Sequence, residues 1–387
     1  MFLTAPLIHN GYEFLPGGTV IEVADDGTIV ALHTSLDGEE VMHHHGILCP
    51  GLVNVHCHLE LSHLKDMLPE KTGLIPFLQK IPLYRTEFTD EQIKAARHEA
   101  YHELVRNGVV AVGDISNLTD TLDLRQLGKL HMHTFVECIG FTEAHALKRF
   151  EETATVYNAF AAQAGNGKLL SQSIVPHAPY SVSPSVFKLI DKHQPHSLIS
   201  IHNQEALAEN EYYQEKTGAV KDLLGGFGID DAFFTASGKT SLQTYTEWLS
   251  AHHSCIFVHN TYTSAEDVKV AAARFEKTFW CLCPNANIYI EDRLPDVAML
   301  QEAGATICIG TDSLASNHQL CVLSELYTLK ENSPSVDWEL LLSWATINGA
   351  KALNMDDRIG SIEPGKMPGI INITRLNEGK PQVQRIV

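Results

Sequence analysis

Two histidines one residue apart, His56-Cys57-His58, follow directly on the apolar run Leu52 to Val55. On an extended strand, residues two apart project to the same face, so both imidazoles can grip one ion. Alone, such a pair is equally two ordinary polar residues at a strand tip. The rest of the chain changes that balance, because seven more short apolar runs end in polar residues. Asp114 follows Val109 to Val112, Glu137 follows Met132 to Val136, and His177 follows Ser173 to Val175. His202-Asn203-Gln204-Glu205 follows Leu198 to Ile201, and His259-Asn260 follows Cys255 to Val258. Asn285 stands after Phe279 to Leu282, and Thr311-Asp312 after Thr306 to Ile309. If these eight tips meet at one mouth, His202 supplies a third nitrogen and Asp312 a carboxylate oxygen beside His56 and His58. A position then stays open for water, as in a catalytic metal site. Glu205, three residues past His202, can face that water as a proton shuttle without being a ligand. Its bland alternative is a carboxylate favoured by a helix start. His259 is a further ligand or a base beside Asp312, its bland alternative being a satisfied core histidine, and His177 is a substrate contact rather than a ligand, its bland alternative being a structural loop residue.

A repeated strand-helix unit must position these tips. The clearest helix runs from Thr89 to Asn107, with Thr89 and Gln92 forming a capping box, apolar spacing through Ile93, Ala96, Ala100 and Leu104, and Gly108 as the stop. Eight alternations favour a closed parallel barrel over an open sheet, and His56 to Asp312 spans 312 − 56 = 256 residues, close to the roughly 250 of a (β/α)8 TIM barrel. Residues 13–48 alternate in short runs broken by Pro16-Gly17-Gly18, Asp25-Asp26-Gly27 and Asp37-Gly38, the pattern of a small antiparallel β unit. After a last helix over Trp338 to Leu353, the turn Gly360 to Lys366 and the run Ile370 to Ile373 return to that unit. The expected fold class is α/β: residues 49–357 form the barrel, and 1–48 with 358–387 form a small β-sandwich domain from both chain ends.

Composition narrows the partners. The 387 residues are 44% hydrophobic and 19% charged, which fits a folded core and excludes a disordered chain. A net charge of −19 repels nucleic acid and anionic membrane. No apolar run approaches the roughly 20 residues that cross a bilayer, and no Lys or Arg precedes the first apolar residues, so a cytoplasmic location is expected. The eight cysteines lie mostly inside apolar runs and read as buried free thiols. Among the 21 histidines, the tract His43-His44-His45 precedes the barrel, and His131 with His133 opens the third run, at the wrong end for chemistry.

Seven ordered motifs resemble the amidohydrolase superfamily, in the branch of cytosine, guanine and S-adenosylhomocysteine deaminases related to chlorohydrolases. They are Pro50-Gly51-Leu52-Val53-Asn54 with His56-Cys57-His58, His177-Ala178-Pro179-Tyr180-Ser181, His202-x-x-Glu205, Cys283-Pro284-Asn285-Ala286-Asn287, Gly310-Thr311-Asp312-Ser313, Ser316-Asn317, and Ile359 to Lys366. The resemblance implies one divalent ion, zinc or iron, on His56, His58, His202 and Asp312, with Glu205, His259 and Asp312 managing protons and His177 touching the substrate ring. Dihydroorotase-like relatives hold two metals bridged by a lysine at the end of strand four. Here that tip carries His177, and Lys168 lies before the run, which favours one metal. The stretch Leu59-Glu60-Leu61-Ser62-His63-Leu64 is similar to the His-x-His-x-Glu-x-Ser pattern of some aminodeoxyfutalosine deaminases. The family's usual Ala-Asp after the Gly-Lys turn is Pro368-Gly369 here.

The expected function is therefore a metal-dependent hydrolytic deaminase in which activated water attacks the ring carbon bearing an exocyclic amine, acting on a small aminopurine, foremost an adenosine-type nucleoside. The loop carrying Glu60, Ser62 and His63 leaves strand one beside the metal ligands and is expected to read the ribose side. Deamination of a free base, or opening of a cyclic amide or chlorotriazine, is the rival chemistry, and a non-catalytic barrel would lack a ligand or an acid. A homo-oligomer, in the simplest case a dimer, is expected.

Overall fold

The computed structural model describes residues 1–36, 38–376 and 381–387, so Asp37 of the expected Asp37-Gly38 turn lies outside the described residues. In the first 50 residues six short strands form: β1 (Phe2–Thr4), β2 (Leu7–Ile8), β3 (Val20–Val23), β4 (Ile29–His33), β5 (Val41–His43) and β6 (Ile47–Pro50). Eight more follow, β7 (Leu52–Cys57), β8 (Val109–Ser116), β9 (His131–Cys138), β10 (Leu170–Pro176), β11 (Leu198–Asn203), β12 (Ser254–His259), β13 (Lys277–Leu282) and β14 (Ile307–Ile309), each holding most or all of one apolar run. The chain ends in β15 (Ile370–Thr374) and β16 (Gln382–Arg385).

β7 to β10 pair in sequence as one four-stranded parallel sheet, and β11 to β14 as a second. The sheets meet at both edges. His202 N–H donates to the His177 carbonyl at 3.0 Å past β10, and Thr311 and Asp312 N–H both donate to the His56 carbonyl at 3.1 Å past β14. β7, β8 and β9 are buried along their whole length, which is why they read as near-continuous apolar runs rather than as alternation. One buried cluster takes a side chain from each of the eight strands, Val53, Ala111, Phe135, Val175, Leu198, Ile256, Phe279 and Cys308. A second, with Leu104, Met132, Phe257, Trp280 and Leu326, seats the helices on the outer faces.

The helix Asp90–Arg106 forms as its signals dictate: Thr89 and Gln92 make the reciprocal capping box, and Gly108 takes φ +78° to turn the chain into β8. The expected last helix is instead broken into Trp338–Ser343, a π-helical turn Trp344–Asn348 and Gly349–Ala352. Such a bulge leaves the 3.6-residue pattern nearly intact and is hard to see in sequence.

The chain ends make two further sheets, in the orders β4-β3-β1-β5 and β16-β15-β6-β2. Leu3, Ile21 and Ile29 from the first and Ile8, Leu48 and Ile370 from the second share one buried cluster. β6 carries the chain across position 48 and ends at Pro50, next to the first parallel strand. The cysteines are free, and seven of the eight are buried. No helix among the described residues is long and apolar enough to cross a membrane.

Candidate active site

The polar tips do converge. His56 and His58 at the end of β7, His202 at the end of β11 and Asp312 just past β14 are all buried. His58 Nε2 lies 3.2 Å from both His56 Nε2 and His202 Nε2, and the Asp312 Oδ1 lies 3.5 Å from the Nε2 of His56 and of His58. Gly310 allows this approach, since a Cβ there would stand 2.9 Å from the Cβ and carbonyl oxygen of His56. The backbone turns sharply at the tips: His259, Asn260 and Asp312 adopt φ of +72°, +61° and +57°, a region that residues other than glycine rarely take and that clusters at functional sites.

Electrostatics suits a cation. Burial lowers the imidazole pKa of His56, lowers that of His58 to about 3, and, with its histidine neighbours, takes that of His202 well below the usual value, so these rings are neutral. Burial alone would raise the Asp312 carboxyl, but the bond from His56 and the surrounding imidazoles hold it well below the usual carboxylate range. His202 Nδ1 donates to the His177 carbonyl at 2.8 Å and stands 3.3 Å from Glu137 Oε1. That fixes the His202 proton on Nδ1 and leaves Nε2 a bare lone pair facing the His58 Nε2 at 3.2 Å. Three buried imidazoles and one ionised carboxylate converging on one point, with no apolar group between them, make a donor set that fits a divalent metal. His259 Nδ1 donates to Asn287 Oδ1 at 3.2 Å, and its Nε2 is 3.7 Å from Glu205 Oε1. Burial, with Asp312 nearby, pushes the Glu205 carboxyl well up.

Two cavities open here. A small one of about 70 Å³ is bounded by His58, His177, His202, Glu205, His259 and Asp312. A larger one of about 410 Å³ shares His58, Leu61, Leu78, Ile81, His177 and Tyr180 with it and extends between apolar walls, including Ile139, Phe141, Leu223 and Phe227. Its polar groups are few. Glu60 Oε2 accepts from the Asn117 backbone N–H at 2.9 Å, and the Asn117 amide donates to Glu137 Oε2 at 3.0 Å. Arg85 also lines it.

Of the expected substrate contacts, His177 and Glu60 line the larger cavity, whereas Ser62 and His63 do not. The expectation treated residues 59–64 as an open loop, but Leu59–Leu64 winds into a 3₁₀ helix. Its three-residue turn brings the Ser62 hydroxyl back onto the Leu59 carbonyl at 2.7 Å, and the His63 ring packs on Phe88. Asp114 stops short of the site, accepting from Thr121 Oγ1 at 2.7 Å. Asn287, not Asn285, meets His259. Glu137 stood at a recognised strand tip but carried no role, and the apolar wall from Leu74–Arg85 gave no sequence signal, because such residues look the same in any core. His131 and His133 sit at the opposite ends of the strands.

Comparison with known proteins agrees with this geometry. The adenosine deaminase of Helicobacter pylori is 27% identical over 376 residues, covering 95% of this chain and 88% of that protein. The 5-methylthioadenosine/S-adenosylhomocysteine deaminase of Halalkalibacterium halodurans is 26% identical, covering 95% and 81%. In fold, the chain is similar to the Helicobacter pylori aminofutalosine deaminase solved with methylthio-coformycin, with a TM-score of 0.85, 23% identity and full coverage of both chains. The model of the amidohydrolase family matches residues 47–384, and the chain belongs to that family.

Proposed function

We propose that the protein is a hydrolytic deaminase of an adenosine-type nucleoside with an apolar substituent on the 5′ side of the ribose. The observation that carries this reading is the pair of joined cavities: one sized for a reacting ring edge among His, Asp and Glu, the other apolar and far larger than a free base needs. The relatives named for adenosine and for 5-methylthioadenosine/S-adenosylhomocysteine support the same class. Both parallel sheets are read as halves of one (β/α)8 barrel over residues 49–357, with 1–48 and 358–387 as a small β-sandwich. A cytoplasmic homodimer is the accompanying expectation.

His56, His58, His202 and Asp312 would hold one divalent ion, zinc foremost and iron second. When bound, that ion supplies Lewis acidity, making water acidic enough to yield hydroxide near neutral pH. Burial raises the Glu205 carboxyl and so favours its protonated form, and Glu205 delivers a proton to the ring nitrogen beside the attacked carbon, removing the charge that develops there. His259, its Nδ1 proton committed to Asn287, presents Nε2 to the attacking water with Asp312 and passes a proton towards departing ammonia. His177 contacts the ring, and Glu60 accepts from ribose hydroxyls, with Ser62 and His63 bracing its helix.

The test is ammonia release from adenosine, 5-methylthioadenosine, S-adenosylhomocysteine, aminodeoxyfutalosine, adenine, guanine and cytosine. Turnover of 5′-extended nucleosides well above that of free bases is expected. Turnover of a free base alone overturns the reading.

A further inference from the structure

Behind the strand ends that carry His259 and Asp312 lies a buried carboxylate that neither the metal donors nor the cavities use. Glu325, in the helix Val322–Asn332, is fully buried. Its partners are amides. Oε2 accepts from the Asn285 backbone N–H at 2.8 Å, and Oε1 accepts from the side chains of Asn285 at 2.9 Å and Asn317 at 2.8 Å. Three converging N–H donors match two acceptor oxygens, and they oppose the burial that raises this carboxyl to about 8.

Each amide leads to the site. The Asn317 side chain also donates to the Thr311 carbonyl at 2.9 Å, the peptide that enters the left-handed turn at Asp312. The N–H of the same peptide, that of Asp312, donates to the His56 carbonyl at 3.1 Å, and Ser316 Oγ holds the Asp312 side chain at Oδ2 at 2.5 Å. A non-glycine residue stays in such a conformation only when its surroundings over-determine it. Asn285 sits in the first turn of the helix Pro284–Glu291, two residues before Asn287, the partner of His259 Nδ1.

We propose that Glu325 is a positioning residue: by holding Asn317 and Asn285 at once, one carboxylate sets where Asp312 and the His259 ring stand relative to each other. This rests on the roles given to Asp312 and His259 in the proposed deamination. A glutamine of the same shape offers one acceptor oxygen and an NH2 donor, so Glu325→Gln leaves at least one of the three N–H groups facing another donor. Truncating Asn317 to alanine cuts the same chain one link further on.

The experiment compares the metal-loaded enzyme with Glu325→Gln, Asn317→Ala and the double variant. Expected are a kcat loss of about 10- to 100-fold, the usual effect of removing an outer partner of a metal-site side chain, an unchanged KM and unchanged metal per chain. The double variant should be no slower than the slower single variant, since both break one chain. In metal-free protein, hydrogen–deuterium exchange over residues 310–317 should rise in each variant while β9 stays protected. That readout needs no turnover: if the wild type deaminates no nucleoside, the proposed function falls and exchange alone decides Glu325. Unchanged kcat and exchange overturn the proposal. So does loss of metal in place of kcat, or additive losses that track a lowered Tm, and if Glu325→Gln fails to fold, Asn317→Ala decides alone.

Discussion

The two ends of the same parallel strands both bury histidines, and they treat them in opposite ways. At the N-terminal end His133 has Ser171 Oγ 2.8 Å from Nδ1 and Ser173 Oγ 3.0 Å from Nε2, and His131 Nδ1 accepts from the Leu169 N–H at 2.9 Å. His253 lies between Ser197 Oγ and Asp191 Oδ1, 3.0 Å from each. At the C-terminal end the His58 Nε2 lies 3.2 Å from the Nε2 of His56 and from that of His202, beside the Asp312 carboxylate. Burial lowers the pKa of His133 and of His58 alike to about 3, so neutrality does not distinguish the ends. Partnering does. A buried imidazole whose nitrogens meet a hydroxyl, an amide or a single carboxylate is satisfied by the protein, whereas several imidazoles converging with a carboxylate on one point form the donor set of a cation.

Removing that cation should have the largest effect. Dialysis against a chelator is expected to abolish turnover, with one equivalent of a divalent metal restoring it. Elemental analysis that finds two retained equivalents per chain would break the single-metal reading, and His202→Ala should lose retention. Next comes Glu205→Gln, expected to keep metal and fold but lower kcat by roughly 10² to 10⁴, the usual worth of a general acid or base. Loss of metal in that variant would make Glu205 a ligand instead.

The comparison also explains what was legible beforehand. The eight strands were readable because burial on both faces makes parallel strands apolar throughout, and the site because each strand tip begins where that apolarity stops. His56, His58, His202 and Asp312 are separated by up to 256 residues (312 − 56), yet the barrel expectation alone gathers them. What failed was local backbone detail: the 3₁₀ winding of Leu59–Leu64 that turns Ser62 and His63 away, and the π-helical turn at Trp344–Asn348. The larger cavity was invisible for another reason. Leu78, Ile81, Leu223 and Phe227 line a void rather than fill a core, and only tertiary packing decides which.

A third prediction sharpens the C-terminal end. Burial raises the Glu60 carboxyl, and the residue has one backbone donor and an open cavity before it. Glu60→Gln should lower kcat/KM for nucleosides by about 5- to 100-fold, one or two charged hydrogen bonds' worth, while leaving free-base turnover unchanged. Equal loss on both substrate types would make it a brace for its helix.

The smallest catalytic effect is expected at the other end, and it tests whether the ends are separable. His133→Leu removes a ring that contacts two serine hydroxyls and the Phe135 ring, at 4.5 Å between centroids. Ser173 keeps its bond to the Leu198 carbonyl at 2.6 Å, so the main cost is the lost bond of the half-buried Ser171 hydroxyl, about 0.5–1.5 kcal/mol, with kcat and metal content unchanged. The pH dependence has a definite sign. The folded pKa of His133 is about 3 against 6.5 for the free group, so between those values the unfolded chain binds a proton that the native state refuses. Wild-type stability therefore falls on acidification through this window, by up to about 1.4 kcal/mol per pH unit for that one proton. The leucine variant lacks this contribution, so its deficit against the wild type should shrink from pH 6.5 downwards and then reverse. A deficit that grows on acidification instead would mean that His133 gains a proton in the folded protein, and a fall in kcat at full folding would mean that the two ends of the strands do not work independently.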